Sequence, residues 1–207
     1  MFLSPEIILK AYSKGIFPMS DSFDDPFIYW VDPQIRGIIH LDEFKISKSL
    51  KKTIKKKKYL IKINKNFEKV INLCAKNAKR KKTWINKQII SNYTKLFKIG
   101  KAKSVECYFK KKLVGGLYGI TVGNIFCGES MFSIEKDASK ISMVYLAAHL
   151  IEGGFEFIDT QFYSSHLKQF GTKKIIRNDY KKLLSNNKEK LKIFPENISD
   201  DILNYFS

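Results

Sequence analysis

Beyond residue 100 the spacing of apolar side chains changes from a helical period to a period of two, and no other feature constrains the fold as tightly. Residues 105–109, 113–122 and 125–132 each alternate as a pleated strand does, with every second side chain on one face. Lys110, Lys111 and Lys112 form the first connection, and Gly123 with Asn124 forms the second, a pair suited to a tight hairpin. Three consecutive antiparallel strands are therefore predicted, and the rest of the chain has to cover their apolar faces.

Helical patterns precede this block. Ser4 caps a first helix that Gly15 ends, Ser47 caps a short basic helix, and residues 59–63 alternate as a strand. Phe67, Val70, Ile71 and Cys74 fall at i, i+3, i+4 and i+7, and Ile85, Ile89, Tyr93, Leu96 and Phe97 mark a further helix stopped by Gly100. After the block, Asp137 caps a long helix, residues 155–162 read as a strand, residues 164–170 as a short helix closed by Gly171, and residues 173–177 as a last strand. Residues 1–35, with Pro18, the acidic cluster Asp21, Asp24 and Asp25 and the aromatic run from Phe27 to Trp30, read as a small N-terminal unit ahead of a domain spanning 36–207. The order predicts an α+β (mixed α/β) fold that matches the acyl-CoA N-acyltransferase superfamily in outline. That superfamily normally holds a pyrophosphate on a glycine-rich turn before its central helix. Here the turn is Ser133-Ile134-Glu135-Lys136-Asp137, with two acids and no glycine, so coenzyme A is not expected.

A chain of 207 residues buries a core without staples, and its three cysteines have neither the number nor the spacing of a disulfide framework or a zinc site. The uncharged stretch 113–128 is too short to cross a membrane, and Glu6 and Lys10 interrupt the first apolar run, so a protein of the reducing cytoplasm is expected. The net charge is +18, and residues 45–82 hold sixteen Lys or Arg against one acid, Glu68. A polyanion is the natural partner of such a face, with heavy lysine usage throughout the chain as the bland alternative.

Within this frame a few polar residues stand out. In Phe126-Cys127-Gly128-Glu129-Ser130-Met131-Phe132-Ser133, strict alternation puts Glu129 on the face of Cys127 and Met131, with Phe126, Gly128, Ser130 and Phe132 opposite. Spacing leaves open whether this carboxylate guards a sheet edge or serves a site. In the strand after the long helix, Phe157, Asp159 and Gln161 share one face and Ile158, Thr160 and Phe162 the other. A carboxylate and a carboxamide two apart suit the holding of an amine and the relay of its proton, or a plain strand-end hydrogen bond. On spacing alone Leu117, Met131 and Met143 read as core, and His40, His149 and His166 lie too far apart in sequence to suggest a metal or a triad.

Seven segments together resemble the bacterial leucyl/phenylalanyl-tRNA–protein transferases: Gly15-Ile16-Phe17-Pro18, residues 47–52, Thr83-Trp84-Ile85, residues 115–119, residues 126–133, Ala138-Ser139-Lys140 and Ile158-Asp159-Thr160-Gln161. The resemblance runs from residue 1 to about residue 184. It implies an aminoacyltransferase that moves Leu or Phe, and Met less readily, from aminoacyl-tRNA to proteins with N-terminal Arg or Lys, marking them for N-degron proteolysis. It also implies a monomer without cofactor or metal. Carried over by residue, Asp159 and Gln161 are catalytic, Glu129 and Asp159 bind the acceptor, and Leu117, Met131, Met143 and Ile158 surround the transferred side chain. Trp84 and Tyr93 lie near the terminal adenosine, where an aromatic face can stack. Lys51, Lys52, Lys55, Lys56, Lys57, Lys58 and Arg80 would hold tRNA phosphates. Two departures are visible: Met19 stands where many members have Trp, and Ser164 where some have Asn. The rival readings are an acyl-CoA-dependent N-acetyltransferase, disfavoured by the missing phosphate turn, and a non-catalytic tRNA-binding module, which leaves Asp159, Gln161 and Glu129 unexplained.

Overall fold

The computed structural model describes residues 3–76 and 82–206. Arg80, expected to hold RNA, lies outside the described residues. The three alternating segments form β5 (Ala102–Phe109), β6 (Lys112–Val122) and β7 (Ile125–Ser133), an antiparallel meander. The first turn places Lys110 and Lys111 at φ 48° and 63°, and the second places Gly123 at φ 59°, the left-handed conformation that tight hairpins require.

Four more strands complete a seven-stranded sheet: β3 (Ile35–His40), β4 (Leu60–Ile63), β8 (Phe157–Gln161) and β9 (Lys173–Ile176), in the order β4-β5-β6-β7-β8-β3-β9. The β7–β8 pair is parallel and the others are antiparallel. A short ribbon, β1 (Phe17–Met19) with β2 (Tyr29–Val31), stands apart from this sheet. The fold is mixed α/β.

Each face of the sheet carries its own core. On one, α1 (Pro5–Tyr12), α3 (Phe67–Ala75), α4 (Lys87–Lys98) and α6 (Arg177–Asn187) bury Ile8, Tyr12, Val70, Tyr93 and Tyr180 against Tyr118, Cys127 and Phe157. On the other, α2 (Lys48–Lys55), the central helix α5 (Ala138–Glu152) and the C-terminal segment pack Leu50, Ile141, Val144, Leu146, Phe194 and Ile202 against Leu117, Phe126 and Ile158. Burying each such aliphatic or aromatic side chain contributes about 1.5–3 kcal/mol. The N-terminal segment shares the first core, through Leu3, Ile8, Tyr12 and Phe17.

Local signals met different fates. Ser4 and Ser47 cap their helices by accepting from Ile7 N and Leu50 N, as their sequence positions suggest. Asp137 makes no cap bond: it takes φ 60° and pairs with Lys140 at 3.2 Å, while the Ser133 hydroxyl accepts the Ser139 N–H. The short helix expected over 164–170 shrinks to a 3-10 turn, Lys168–Phe170, ahead of Gly171 at φ 93°.

Candidate active site

Pairing between β7 and β8 runs from Ile125↔Phe157 to Cys127↔Asp159 and then stops. Beyond that point the two parallel strands diverge, and a cavity of about 340 Å³ opens in the gap. Its apolar wall comes from Leu117, Phe126, Met131, Met143, Leu146 and Ile158, so the four pocket residues expected from sequence are brought together. Trp84, Ser164 and His166 also line it.

The polar end of the cavity depends on a defect in the sheet. Tyr118 pairs with Ser130 and Gly119 with Gly128, which leaves Glu129 as an extra residue, a β-bulge in β7. Strict alternation therefore fails here. Phe126 and Met131 lie in one core and Cys127 and Phe132 in the other, so Glu129 does not share the face of Met131 as its spacing predicts. Gly119 permits the bulge, because a Cβ at that position would stand 2.3 Å from the Cys127 carbonyl oxygen.

Glu129 is 8 % exposed and lines the cavity. Its Oε1 accepts from Tyr12 Oη at 2.5 Å and from Gln161 Nε2 at 2.9 Å, and its Oε2 accepts from Tyr93 Oη at 3.2 Å. Burial pushes its carboxyl up to about 7, against the opposing pull of these three donors and with help from the Asp159 charge. Burial, reinforced by the Glu129 charge, raises the Tyr12 and Tyr93 phenols well above their usual range, so both remain donors.

Gln161 is fixed at two points. Its side chain donates to Glu129, and its backbone N–H donates to Asp159 Oδ1 at 2.8 Å. The backbone sits at φ 61°, and the next N–H, of Phe162, donates to the Thr160 carbonyl at 2.7 Å, closing a tight three-residue turn. A register shift opposite Gly37 accompanies this turn. With Nε2 committed to Glu129, Gln161 Oε1 accepts no hydrogen bond among the described residues.

Asp159 is enclosed. Arg36 Nε and Nη2 bind its two oxygens at 3.1 and 2.7 Å, Tyr180 Oη donates at 2.7 Å, and the carboxylate has no exposure. Burial disfavours the Arg36 charge, but the Asp159 carboxylate outweighs that and the guanidinium is held above its ordinary value. Asp159 does not line the cavity, so direct contact between its carboxylate and an acceptor cation, expected from sequence, is not what this geometry offers. Tyr93 is also displaced from its expected role: the ring is fully buried and meets Tyr118 edge-on at 5.8 Å, which leaves no face for a base to stack on. Trp84 keeps a partly open position on the cavity.

Of the basic residues, Lys52, Lys55, Lys56, Lys57 and Lys58 are exposed and Lys51 is half-buried, on α2 and the turn that follows it. Lys57 and Lys58 line a second cavity of about 610 Å³ together with Lys62, Lys65, Tyr145, His149, Glu196 and Asp200. The helix α5 stands between the two cavities, with Met143 and Leu146 toward the first and Ile141, Tyr145 and His149 toward the second. Met19 lies in β1 and packs on the first core. Sequence reasoning missed Arg36, Tyr12 and Tyr180. Arg36 had one visible signal, as an arginine at the head of an apolar strand in a chain with three Arg among 38 Lys and Arg.

A parallel pair splayed over an apolar hollow, with the Glu129 carboxylate on its wall and the buried Gln161 carboxamide bonded behind that carboxylate, is suited to present an activated acyl group to an amine, the arrangement of a group transferase. Comparison with known proteins narrows the class. Residues 38–185 match the family model for leucyl/phenylalanyl-tRNA protein transferase, and residues 1–34 match the model of that enzyme's N-terminal domain. A leucyl/phenylalanyl-tRNA–protein transferase of Maricaulis maris (strain MCS10) is 49 % identical over 181 residues, covering 87 % of this chain and 84 % of that protein. The chain belongs to the leucyl/phenylalanyl-tRNA–protein transferase family and is an aminoacyltransferase. Among solved structures, L-PGS from Bacillus licheniformis aligns at a TM-score of 0.41 with 12 % identity, over 92 % of this chain and 58 % of that one. A conserved protein of unknown function from Staphylococcus epidermidis ATCC 12228 aligns at 0.41 with 10 % identity, over 84 % and 65 %. Among the described residues no helix is long and apolar enough to cross a membrane.

Proposed function

We propose that this protein transfers leucine or phenylalanine, and methionine less readily, from aminoacyl-tRNA to the α-amino group of proteins that begin with Arg or Lys. The transfer marks those proteins for N-degron proteolysis in the cytoplasm. The observation that carries this reading is the apolar cavity with Glu129 on its wall and Gln161 bonded to that carboxylate. The hollow formed by Leu117, Met131, Met143 and Ile158 suits a side chain unbranched at Cβ. Glu129 supplies a carboxylate for the acceptor's cation, and an ionic hydrogen bond of that kind is worth about 1.5–3 kcal/mol.

The chemistry is attack of an amine on an ester. The amine nitrogen bonds to the carbonyl carbon, the bond from that carbon to the ribose oxygen breaks, and the proton the nitrogen gives up ends on the departing oxygen as a hydroxyl. No cofactor or metal enters this scheme. Gln161 Oε1, left without a donor of its own, accepts an N–H of the attacking amine and aims its lone pair at the ester carbon, which lowers the barrier by orientation. Asp159 acts behind it, holding the Gln161 backbone. Trp84 provides a stacking face for the terminal adenosine, and Lys51, Lys52 and Lys55 to Lys58 bind the acceptor stem through phosphates, largely without reading sequence. Purified as a monomer and given leucyl-tRNA and an Arg-initiated peptide, the protein is expected to form the Leu-Arg peptide, identified by mass. Acetylation of the same peptide from acetyl-CoA, with no product from leucyl-tRNA, would replace this reading with the N-acetyltransferase one.

A further inference from the structure

We propose that Arg36 and Tyr180 are positioning residues for Gln161, acting through Asp159, so that helix α6 and the turn after α1 hold the reactive carboxamide in place. The inference rests on the reading of Gln161 as the residue that orients the acceptor amine.

Gln161 occupies a left-handed backbone conformation that a non-glycine residue adopts only when its surroundings impose it. Asp159 supplies the constraint by accepting the Gln161 N–H on Oδ1, and that carboxylate is itself fully determined. Arg36 binds it as a fork, with Nε on Oδ1 and Nη2 on Oδ2, and Tyr180 Oη donates to Oδ2. The guanidinium lies between two aromatic rings, 5.0 Å from the Phe17 centroid and 4.2 Å from that of Tyr180, and its Nη1 donates to the Gly15 carbonyl at 2.7 Å. Gly15, at φ 79°, follows α1, and a Cβ there would approach the Tyr180 ring to 3.1 Å. Gln161 is thus tied at its backbone to a Gly15–Arg36–Tyr180–Asp159 clamp and at its side chain to Glu129 and Tyr12.

A planar fork sandwiched by rings is a role that lysine cannot fill. Neither Arg36 nor Tyr180 lines the substrate cavity, so both act at one remove from the reacting atoms.

The test is Tyr180→Phe, which keeps the ring over Arg36 and removes only the hydroxyl donated to Asp159, with Arg36→Lys as the stronger perturbation. Transfer kinetics are measured with each substrate varied in turn, and the amide proton of Gln161 is followed by nuclear magnetic resonance in labelled protein. Y180F is expected to lower kcat about tenfold, the worth of one hydrogen bond to a charged group. Both KM values should stay within about twofold, because the cavity walls are untouched. The Gln161 amide resonance, shifted downfield by its carboxylate partner, should move upfield. R36K is expected to show a larger kcat loss of the same kind; if it fails to fold, Y180F alone decides. A Y180F enzyme with wild-type kcat, or an unmoved Gln161 amide, would overturn the assignment. A wild-type protein that transfers nothing while Y180F still moves the amide would overturn the proposed function and leave the clamp standing.

Discussion

Glu129→Gln isolates the charge proposed to select the acceptor. The Glu129 carboxyl titrates at about 7, so it is mostly ionised at pH 8. At pH 6 only about one-tenth remains ionised, since each pH unit below the midpoint removes a factor of ten. The ionised form is the one that pairs with an N-terminal Arg. Titration of this group alone should therefore raise KM for an Arg-initiated peptide about tenfold between pH 8 and pH 6. Replacing Glu129 with Gln removes a charge-assisted hydrogen bond of about 1.5–3 kcal/mol, so KM at pH 8 should increase about 10- to 100-fold. As the pH falls, it should then change only as far as the peptide's own amine dictates. Initial rates are read with a fluorescent peptide at saturating leucyl-tRNA, with spontaneous ester hydrolysis subtracted. The peptide's own α-amine, with an ordinary value of about 7.7–8.0, titrates equally with both enzymes, so the ratio of wild type to variant reports Glu129 alone. A second peptide with an uncharged first residue should be used about equally by E129Q and the wild type. If E129Q keeps the wild-type preference for Arg, or the ratio of its KM to that of the wild type does not shrink about tenfold between pH 8 and pH 6, the acceptor role of Glu129 is wrong.

Stability should follow the same group. Its native value is raised from 4.5 to about 7, so the folded state holds a proton that the unfolded chain has lost, and stability falls as pH rises through that window. The loss is about 3 kcal/mol at about 1.4 kcal/mol per tenfold; denaturant midpoints measured at pH 5 and pH 8 should show it in the wild type and not in E129Q. Replacing Lys55 to Lys58 with Gln should raise the KM for charged tRNA, and the plot of log affinity against log salt should flatten by roughly one for each lysine that touches a phosphate, whereas an unchanged slope would place the RNA elsewhere. Gly37→Ala would set a methyl group 2.4 Å from Thr160 Oγ1 and 2.9 Å from the Phe162 carbonyl oxygen. It should displace the Gln161 turn and lower kcat at least tenfold, about 1.4 kcal/mol of lost orientation, with KM for aminoacyl-tRNA preserved; wild-type kcat in this variant would show that the turn geometry is not needed.

The meander β5 to β7 was legible because its period and turn residues agree, and the helices were legible because serine caps and terminal glycines bracket apolar stripes. The bulge at Glu129 was not, since one extra residue changes no composition and breaks only the parity of the strand. Phe126 and Phe132 look equivalent in sequence and end in different cores. Tyr93 is the opposite case. Its place in the stripe with Ile89 and Leu96 already argued for burial, and the stacking role carried over by resemblance ran against that signal. Asp159 stands out in the sequence as an acid on an apolar strand, but nothing local reveals that its cation lies 123 residues earlier in the chain. Partners so distant are invisible to periodicity, and they hold most of the site's geometry.

These separations also bear on synthesis. Tyr12 and Glu129 are 117 positions apart, and Arg36 and Tyr180 are 144 apart. During translation the amino-terminal helix leaves the ribosome long before any of its partners exist, with Ile8 and Tyr12 still uncovered. Closing such long loops is slow, and a growing chain that waits with greasy surface exposed is vulnerable to misassociation. The candidate site can therefore be completed only after Tyr180 has been made, and a nascent chain stalled before that residue would carry the strands of the sheet without the donor that Asp159 needs.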